Sequence, residues 1–242
     1  MKFHSPSVKL LAFLALGLMS GAAFSSTGTV TQLSGTLSVL KADGSVRILA
    51  QKSEVVSGDT VNTQKDSYAQ IKFTDGGLIT LKPNTSLKIQ QFQFKQDEPT
   101  KDSFVFALVK GGLRAITGLV GKRGNKDAYS LDTATATIGI RGTSYGADDC
   151  KTTPCPKPDS SGNLEPGVYV SVTDGEIVVT NAAGSQNFLA GQFGEISDRN
   201  SRPRFLSTDP GLQFMPPASF IVSIVTGAAA NSGKNQECVV RR

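Results

Sequence analysis

Tryptophan is missing from the 242 residues, histidine occurs once and cysteine three times. The one histidine, His4, sits in a segment that reads as a cleaved leader, so the exported chain has no imidazole. That removes Ser-His-Asp and Cys-His nucleophilic sites and the usual zinc hydrolases from consideration. No glycine-rich stretch ends in Gly-Lys-Ser/Thr, which leaves no phosphate loop, and no calcium loop is spelled out. No metal and no cofactor are expected. No apolar run beyond the leader reaches the roughly 20 residues of a spanning helix. Aromatic residues are 7% of the chain against 25 glycines, a balance that suits many short strands rather than a helical bundle.

The N-terminus carries Lys2 and Lys9, an apolar stretch from Leu10 to Met19, and the small residues Ser20 to Ala23. This order describes a secretory signal peptide over residues 1–25, cut after Ala23 or Ser25, with no transmembrane span left after cleavage. No cysteine lies near the cut, so a lipid anchor is not expected. Loss of Lys2 and Lys9 takes the 25 basic residues to 23 against 20 acidic ones. The mature charge is too small for a nucleic-acid binder, which presents a strongly basic face.

Export permits disulfides. Cys150 and Cys155 enclose a four-residue loop that a bridge can close, contributing on the order of 2 kcal/mol of local order. Cys238 is left odd, either free or intermolecular.

From Gly28 the chain alternates in the strand manner and is broken by turns. Ala69, Ile71 and Phe73 should face a core while Tyr68, Gln70, Lys72 and Thr74 face water. Gly58-Asp59, Asp75-Gly76 and Gly142 read as structural turns, because Asp bonds its own backbone there and glycine accepts the geometry. Gly111-Gly112 reads as a bend between two strands, Leu131 to Ile140 as one strand, and Asp174-Gly175 as a turn. Gly35 to Ser45 is echoed by Gly175 to Ser185 at an offset of 140, as if one hairpin were used twice. Beyond Ser197 the pattern becomes irregular. The expected fold is all-β, with many short strands in sandwich- or solenoid-like stacked sheets and an irregular C-terminal tail. The expected domains are a β domain over 26–197 and an extension over 198–242.

The candidate contact residues are Arg141, Tyr145, Lys122 and Arg123. Lys122, Arg123 and Lys126 stand among glycines and read as a solvated loop. Arg141, in a strand of uncharged residues, either reaches the surface or is anchored by carboxylates and carbonyls. Asp148-Asp149 reads as solvated. Asp59, Asp75, Asp174, Glu54, Glu176 and Glu195 are the carboxylates available for acid–base work, and turn structure accounts for the aspartates next to glycine.

In order along the chain stand Gly58-Asp-Thr-Val-Asn-Thr63, Ala69-Gln-Ile-Lys-Phe-Thr-Asp-Gly76, Leu81-Lys-Pro-Asn-Thr-Ser-Leu-Lys-Ile89, Lys110-Gly-Gly-Leu113, Ala136-Thr-Ile-Gly-Ile-Arg-Gly-Thr143, Val172-Thr-Asp-Gly-Glu176 and Leu189-Ala-Gly-Gln192. With the opening Gly28-Thr-Val, this series resembles the FecR-type domain from about Gly28 to Ile196. The resemblance implies an all-β envelope domain of periplasmic or secreted location in a Gram-negative-type envelope. The family's namesake members sense a loaded outer-membrane receptor and relay the signal to a sigma factor. This sequence shows neither their cytoplasmic anti-sigma segment nor their receptor-signalling domain, so the relay is not carried over. A non-catalytic binding or signalling module is expected, with an envelope protein or surface polymer as partner. The alternative is a carbohydrate-binding or carboxylate-dependent carbohydrate-acting secreted protein.

Overall fold

The computed structural model describes residues 26–125, 127–212 and Phe220. The leader, Lys126, Cys238 and most of the C-terminal extension lie outside the described residues. Fifteen strands form one continuous mixed sheet. They are β1 (Gly28–Ser34), β2 (Leu37–Leu40), β3 (Val46–Leu49), β4 (Glu54–Val55), β5 (Thr60–Thr63), β6 (Tyr68–Phe73), β7 (Leu78–Leu81) and β8 (Ser86–Gln93). There follow β9 (Ser103–Ile116), β10 (Tyr129–Asp132), β11 (Thr137–Asp149), β12 (Val168–Asn181), β13 (Gly184–Leu189), β14 (Phe193–Ile196) and β15 (Arg204–Leu206).

The pairings fold this sheet on itself into two layers. Layer one runs β4–β1–β6–β7, then the second halves of β9 and β11, the first half of β12, β14 and β15. Layer two runs β3–β2–β5–β8, then the first half of β9, β10, the first half of β11, the second half of β12, and β13. All neighbours are antiparallel except β10, which lies parallel to β9 and fills the gap where β9 and β11 splay. Ala69, Ile71 and Phe73 point inward from layer one. The Phe73 ring lies 4.6 Å from that of Phe104 in layer two, and at the far end Phe188 meets Phe205 at 4.8 Å. Phe73, Phe104 and Phe188 are buried, and each contributes on the order of 3 kcal/mol through its removal from water, whereas Phe205 stays half exposed.

Several segments differ from their sequence reading. Gly111-Gly112 and Asp174-Gly175 do not end strands; β9 and β12 pass straight through them, bending from one layer into the other. Leu131 to Ile140 is two strands, because Thr133 Oγ1 takes the Ala136 N–H at 3.1 Å and turns the chain between them. The sheet also continues past residue 197, where β15 pairs with β14.

The crossings share one device. At Gly35, Asn84, Gly111, Gly142 and Gly175 the backbone takes a positive φ, between 55° and 80°. The next residue then donates its N–H to a hydroxyl instead of a strand. Thr36 donates to Ser67 at 2.9 Å, Thr85 to Thr63 at 2.9 Å, Gly112 to Thr85 at 3.0 Å, Thr143 to Thr117 at 2.8 Å, and Glu176 to Thr143 at 3.3 Å. A strand that leaves its layer loses its ladder partner at the bend, and a buried N–H left bare costs about 1–3 kcal/mol. Threonine suits the task because its hydroxyl both accepts and donates: Thr85 and Thr143 return a bond to the Gly112 and Glu176 carbonyls at 2.9 and 2.7 Å. Glycine at 111 and 175 is required twice over. A Cβ there would sit 2.5 Å from Thr85 Oγ1 or from the Gly142 carbonyl oxygen, besides straining the positive φ.

The sequence echo corresponds to two hairpins, β2–β3 and β12–β13, at opposite edges of layer two, each entered through a latched glycine. Their registers differ, Leu37 facing Leu49 but Ile177 facing Phe188, because the second loop is only Ala182-Ala183.

Replacing Thr85 by Val keeps the side-chain volume and strips the Gly111 corner of the hydroxyl that both accepts the Gly112 N–H and donates to its carbonyl. The expected loss is about 1–3 kcal/mol of unfolding free energy, read from urea denaturation, with no change in strand content by circular dichroism.

Candidate functional site: a basic cleft at the Arg141 corner

The segment after β9 leaves the sheet as a loop rooted on Asp75. One carboxylate oxygen of Asp75 accepts the Gly77 N–H at 2.9 Å and the other the Val120 N–H at 3.3 Å, while its carbonyl takes the Leu119 N–H at 3.0 Å. Burial pushes this carboxyl above the ordinary aspartate value of 3.8, against the pull of the two amides, and Asp102 adds a smaller push in the same direction. The loop then turns on the Leu119 carbonyl, which accepts from Lys122 and Arg123.

Of the four candidate contact residues, the structure brings three together. Lys122, Arg123 and Arg141 line one cleft of about 520 Å³ with Asn125, Glu176 and the glycines 121, 124 and 142. Their circumstances differ. Arg123 is not solvated as the loop composition implied; its Nε lies 3.1 Å from Asp102, its other nitrogens bond the Gln96 and Lys95 carbonyls, and its guanidinium stands 4.9 Å over the Phe94 ring. Its glycine-rich surroundings hid a partner 21 positions away. Arg141 and Lys122 are exposed, and among the described residues neither side chain has an ion pair or hydrogen bond. Arg141 is therefore not an anchor. It faces Glu176 across β11 and β12, yet Glu176 Oε1 is taken by Asn187 Nδ2 at 2.6 Å.

Tyr145 must be withdrawn as a contact residue. Unbroken alternation would put Tyr145 on the same outer face as Arg141, but the irregularity at Gly142 shifts the phase and sends Tyr145 between the layers, where it is fully buried. Burial raises its phenol and that of neighbouring Tyr129 well above the ordinary range. The two hydroxyls interact, though Tyr145 Oη makes no hydrogen bond of normal geometry.

Asp148 and Asp149 are likewise buried rather than solvated. Lys82 Nζ reaches Asp148 at 2.7 Å, and the cost of burial still outweighs that pairing and raises the carboxyl. Asp149 accepts the Lys151 and Thr152 N–H groups at 2.9 and 3.1 Å and so shapes the loop that the Cys150–Cys155 disulfide closes, with Cα atoms 5.1 Å apart. Gly58 and Gly76 adopt φ of 91° and 87° at turns, and Asp59 holds Lys41 at 2.9 Å and the Val56 N–H at 3.0 Å.

The carboxylates considered for sugar chemistry are used separately. Asp59 and Asp75 serve their turns, Glu195 pairs with Arg204, Glu176 with Asn187, and Glu54 and Asp174 are exposed on different strands. Among the described residues no three potential metal ligands cluster. What the cleft offers is two unspent cations, an amide at Asn125 and glycine backbone, a set able to grip a carboxylate or phosphate.

Residues 59–178 match the family model described as FecR protein. The chain carries a FecR domain. The match starts at the β5 turn and ends inside β12, so the cleft lies wholly within the FecR domain, and the flanking strands complete the same two layers. No curated protein matches the chain. Two crystal structures of a candidate anti-sigma factor from Parabacteroides distasonis superimpose with TM-scores of 0.45 and 0.44, each at 14% identity over 69% of this chain and 72% of that one. A structure described as a cell surface anchoring domain is 26% identical over 26% of this chain and 82% of its own, with a TM-score of 0.25. At these scores none of them bears on the site.

Two outcomes follow for the FecR domain. Arg141→Ala should leave stability within about 0.5 kcal/mol of the parent, whereas Arg123→Ala should cost about 3 kcal/mol by stranding the buried Asp102 carboxylate, both read by urea denaturation. Asp75 keeps its proton to higher pH in the folded state than in the unfolded chain. Its contribution to stability is thus fullest below 3.8 and declines as pH rises through the raised value. Between pH 4 and 7 the unfolding free energy of the parent minus that of Asp75→Asn should fall with pH and then level off; a flat difference would contradict the shift.

Proposed function

We propose that this chain is a non-catalytic binding or signalling module of a Gram-negative-type cell envelope, whose basic cleft takes an acidic segment of a partner protein. The observation that carries this reading is the contrast within the cleft: Arg123 is consumed by Asp102 and two carbonyls, while Lys122 and Arg141 beside it are exposed and unpaired. A domain that pairs Lys41, Lys82, Arg123 and Arg204 with carboxylates leaves these two cations free at the mouth of one cleft. The FecR domain itself belongs to a signalling family, which favours a protein partner. The leader-like N-terminus and the Cys150–Cys155 disulfide support an oxidising compartment outside the cytoplasm.

The test is crosslinking and recovery from the intact envelope, comparing the parent with the double variant Lys122→Glu, Arg141→Glu. The parent should retain a partner whose capture weakens as salt is raised, and the double variant should lose it by tenfold or more. Equal recovery by both proteins would sink the cleft as the binding site. Recovery of an anionic polymer in place of protein would reassign the partner, and a protein found only in the cytoplasmic fraction would overturn the compartment.

A further inference from the structure

One of the two free edges of layer two is formed by β3, which pairs only with β2. Its outward side chains are unusual for an edge: Val46 is 66% and Ile48 70% exposed, and Leu40, directly opposite Val46, is 41% exposed. Edge strands are ordinarily blunted by proline, bulges, shortness or charge; β3 is short but has no proline or bulge, and its one charge, Arg47, lies on the opposite face from Val46 and Ile48.

The backbone parity can be worked out. Lys41 N–H bonds the Ser45 carbonyl at 2.8 Å, so the next pair, Leu40–Val46, is of the non-bonded kind, Val39–Arg47 is bonded, and Ser38–Ile48 is again non-bonded. The other side of β2 gives the same answer, because Gln64 N–H bonds the Thr36 carbonyl at 3.2 Å and sets the alternation toward β5. Val46 and Ile48 therefore direct their N–H and C=O groups away from β2, toward the open edge.

We propose that β3 is a strand-addition site for an extended segment of a partner protein that reads apolar–acidic–apolar. An antiparallel strand added here exchanges hydrogen bonds with Val46 and with Ile48, and lays its apolar side chains beside theirs and Leu40. The residue between them falls opposite Arg47 in a non-bonded pair, where side chains approach most closely, and Arg47 is exposed with no ion pair among the described residues. An acidic residue completes that position. A second copy of this chain does not suit the edge, because the matching antiparallel register sets Arg47 against Arg47. Three exposed aliphatic side chains, two on β3 and Leu40 on β2, also fall well short of the roughly 800 Å² per partner that a stable globular pair buries. Strand addition relies instead on main-chain bonds.

The probe is the capped peptide Ser-Thr-Val-Glu-Ile-Thr-Ser, with a version carrying Lys in place of Glu and one carrying Pro in place of Ile. Fluorescence polarisation on the full chain should give saturable binding of the first, weakened tenfold or more in the other two. Ile48→Lys, or Val46→Lys should that variant unfold, should abolish it, and Arg47→Glu should exchange preference to the Lys peptide. Amide hydrogen exchange gives the register: Val46 and Ile48 should be fast in the free protein and slowed at least tenfold by the peptide, with Arg47 unchanged. Absence of saturable binding, retention of binding in the Lys variants, or protection that spares β3 would each overturn the assignment. A concentration-dependent dimer abolished by Ile48→Lys would overturn it in favour of a second copy.

Discussion

The hydroxyl that receives an amide at each corner is the interaction on which the two-layer form rests. A sheet that folds on itself must break its own ladder wherever a strand crosses, and of the five latched crossings three break it at buried amides and two at half-buried ones. Left bare, the three buried amides alone would cost about 3–9 kcal/mol, a large share of the 5–15 kcal/mol typical of a whole domain. Serine or threonine at the right depth removes that cost locally, and the positive φ before each latch aims the amide at the hydroxyl. The core packing of Phe73, Phe104 and Phe106 is possible only because the corners bring both layers over one interior.

The cleft is a by-product of one such corner. Gly142 bends β11 so that Arg141 stays on the outer face while Thr143 turns inward to receive Glu176. The same bend leaves open space beside Lys122, whose Cγ would lie 3.5 Å from a Cβ at position 142. A requirement of the fold has therefore placed two cations at the rim of a cavity floored by backbone. Neighbouring arginines show how little residue type decides: Arg123 is spent on the scaffold and Arg141 is not.

Much of the fold was legible because it depends on local periodicity. The alternation around Ile71, the Asp-Gly turn at Asp75 and the short Cys150–Cys155 loop all follow from residues a few positions apart. What escaped depends on long-range encounters. Nothing near Asp148 announces Lys82, which lies 66 positions earlier, and nothing near Arg123 announces Asp102. Gly111 and Gly175 were read as breaks because glycine punctuates turns and bulges alike; only the neighbouring hydroxyl decides between reversal and crossing. The burial of Tyr145 could have been found by carrying the alternation from Arg141 through the bulge at Gly142, which shifts the phase of the strand.

In four of the five corners the hydroxyl lies earlier in the chain than the amide it receives, by 22, 27, 26 and 33 positions. Thr63 waits for Thr85, Thr85 for Gly112, Thr117 for Thr143, and Thr143 for Glu176. The protein is in this sense wound rather than collapsed: each turn of chain offers the peg on which the next is hung. A chain emerging from its N-terminus would meet these acceptors in the order in which it needs them, so the direction of synthesis is also the direction in which the architecture closes.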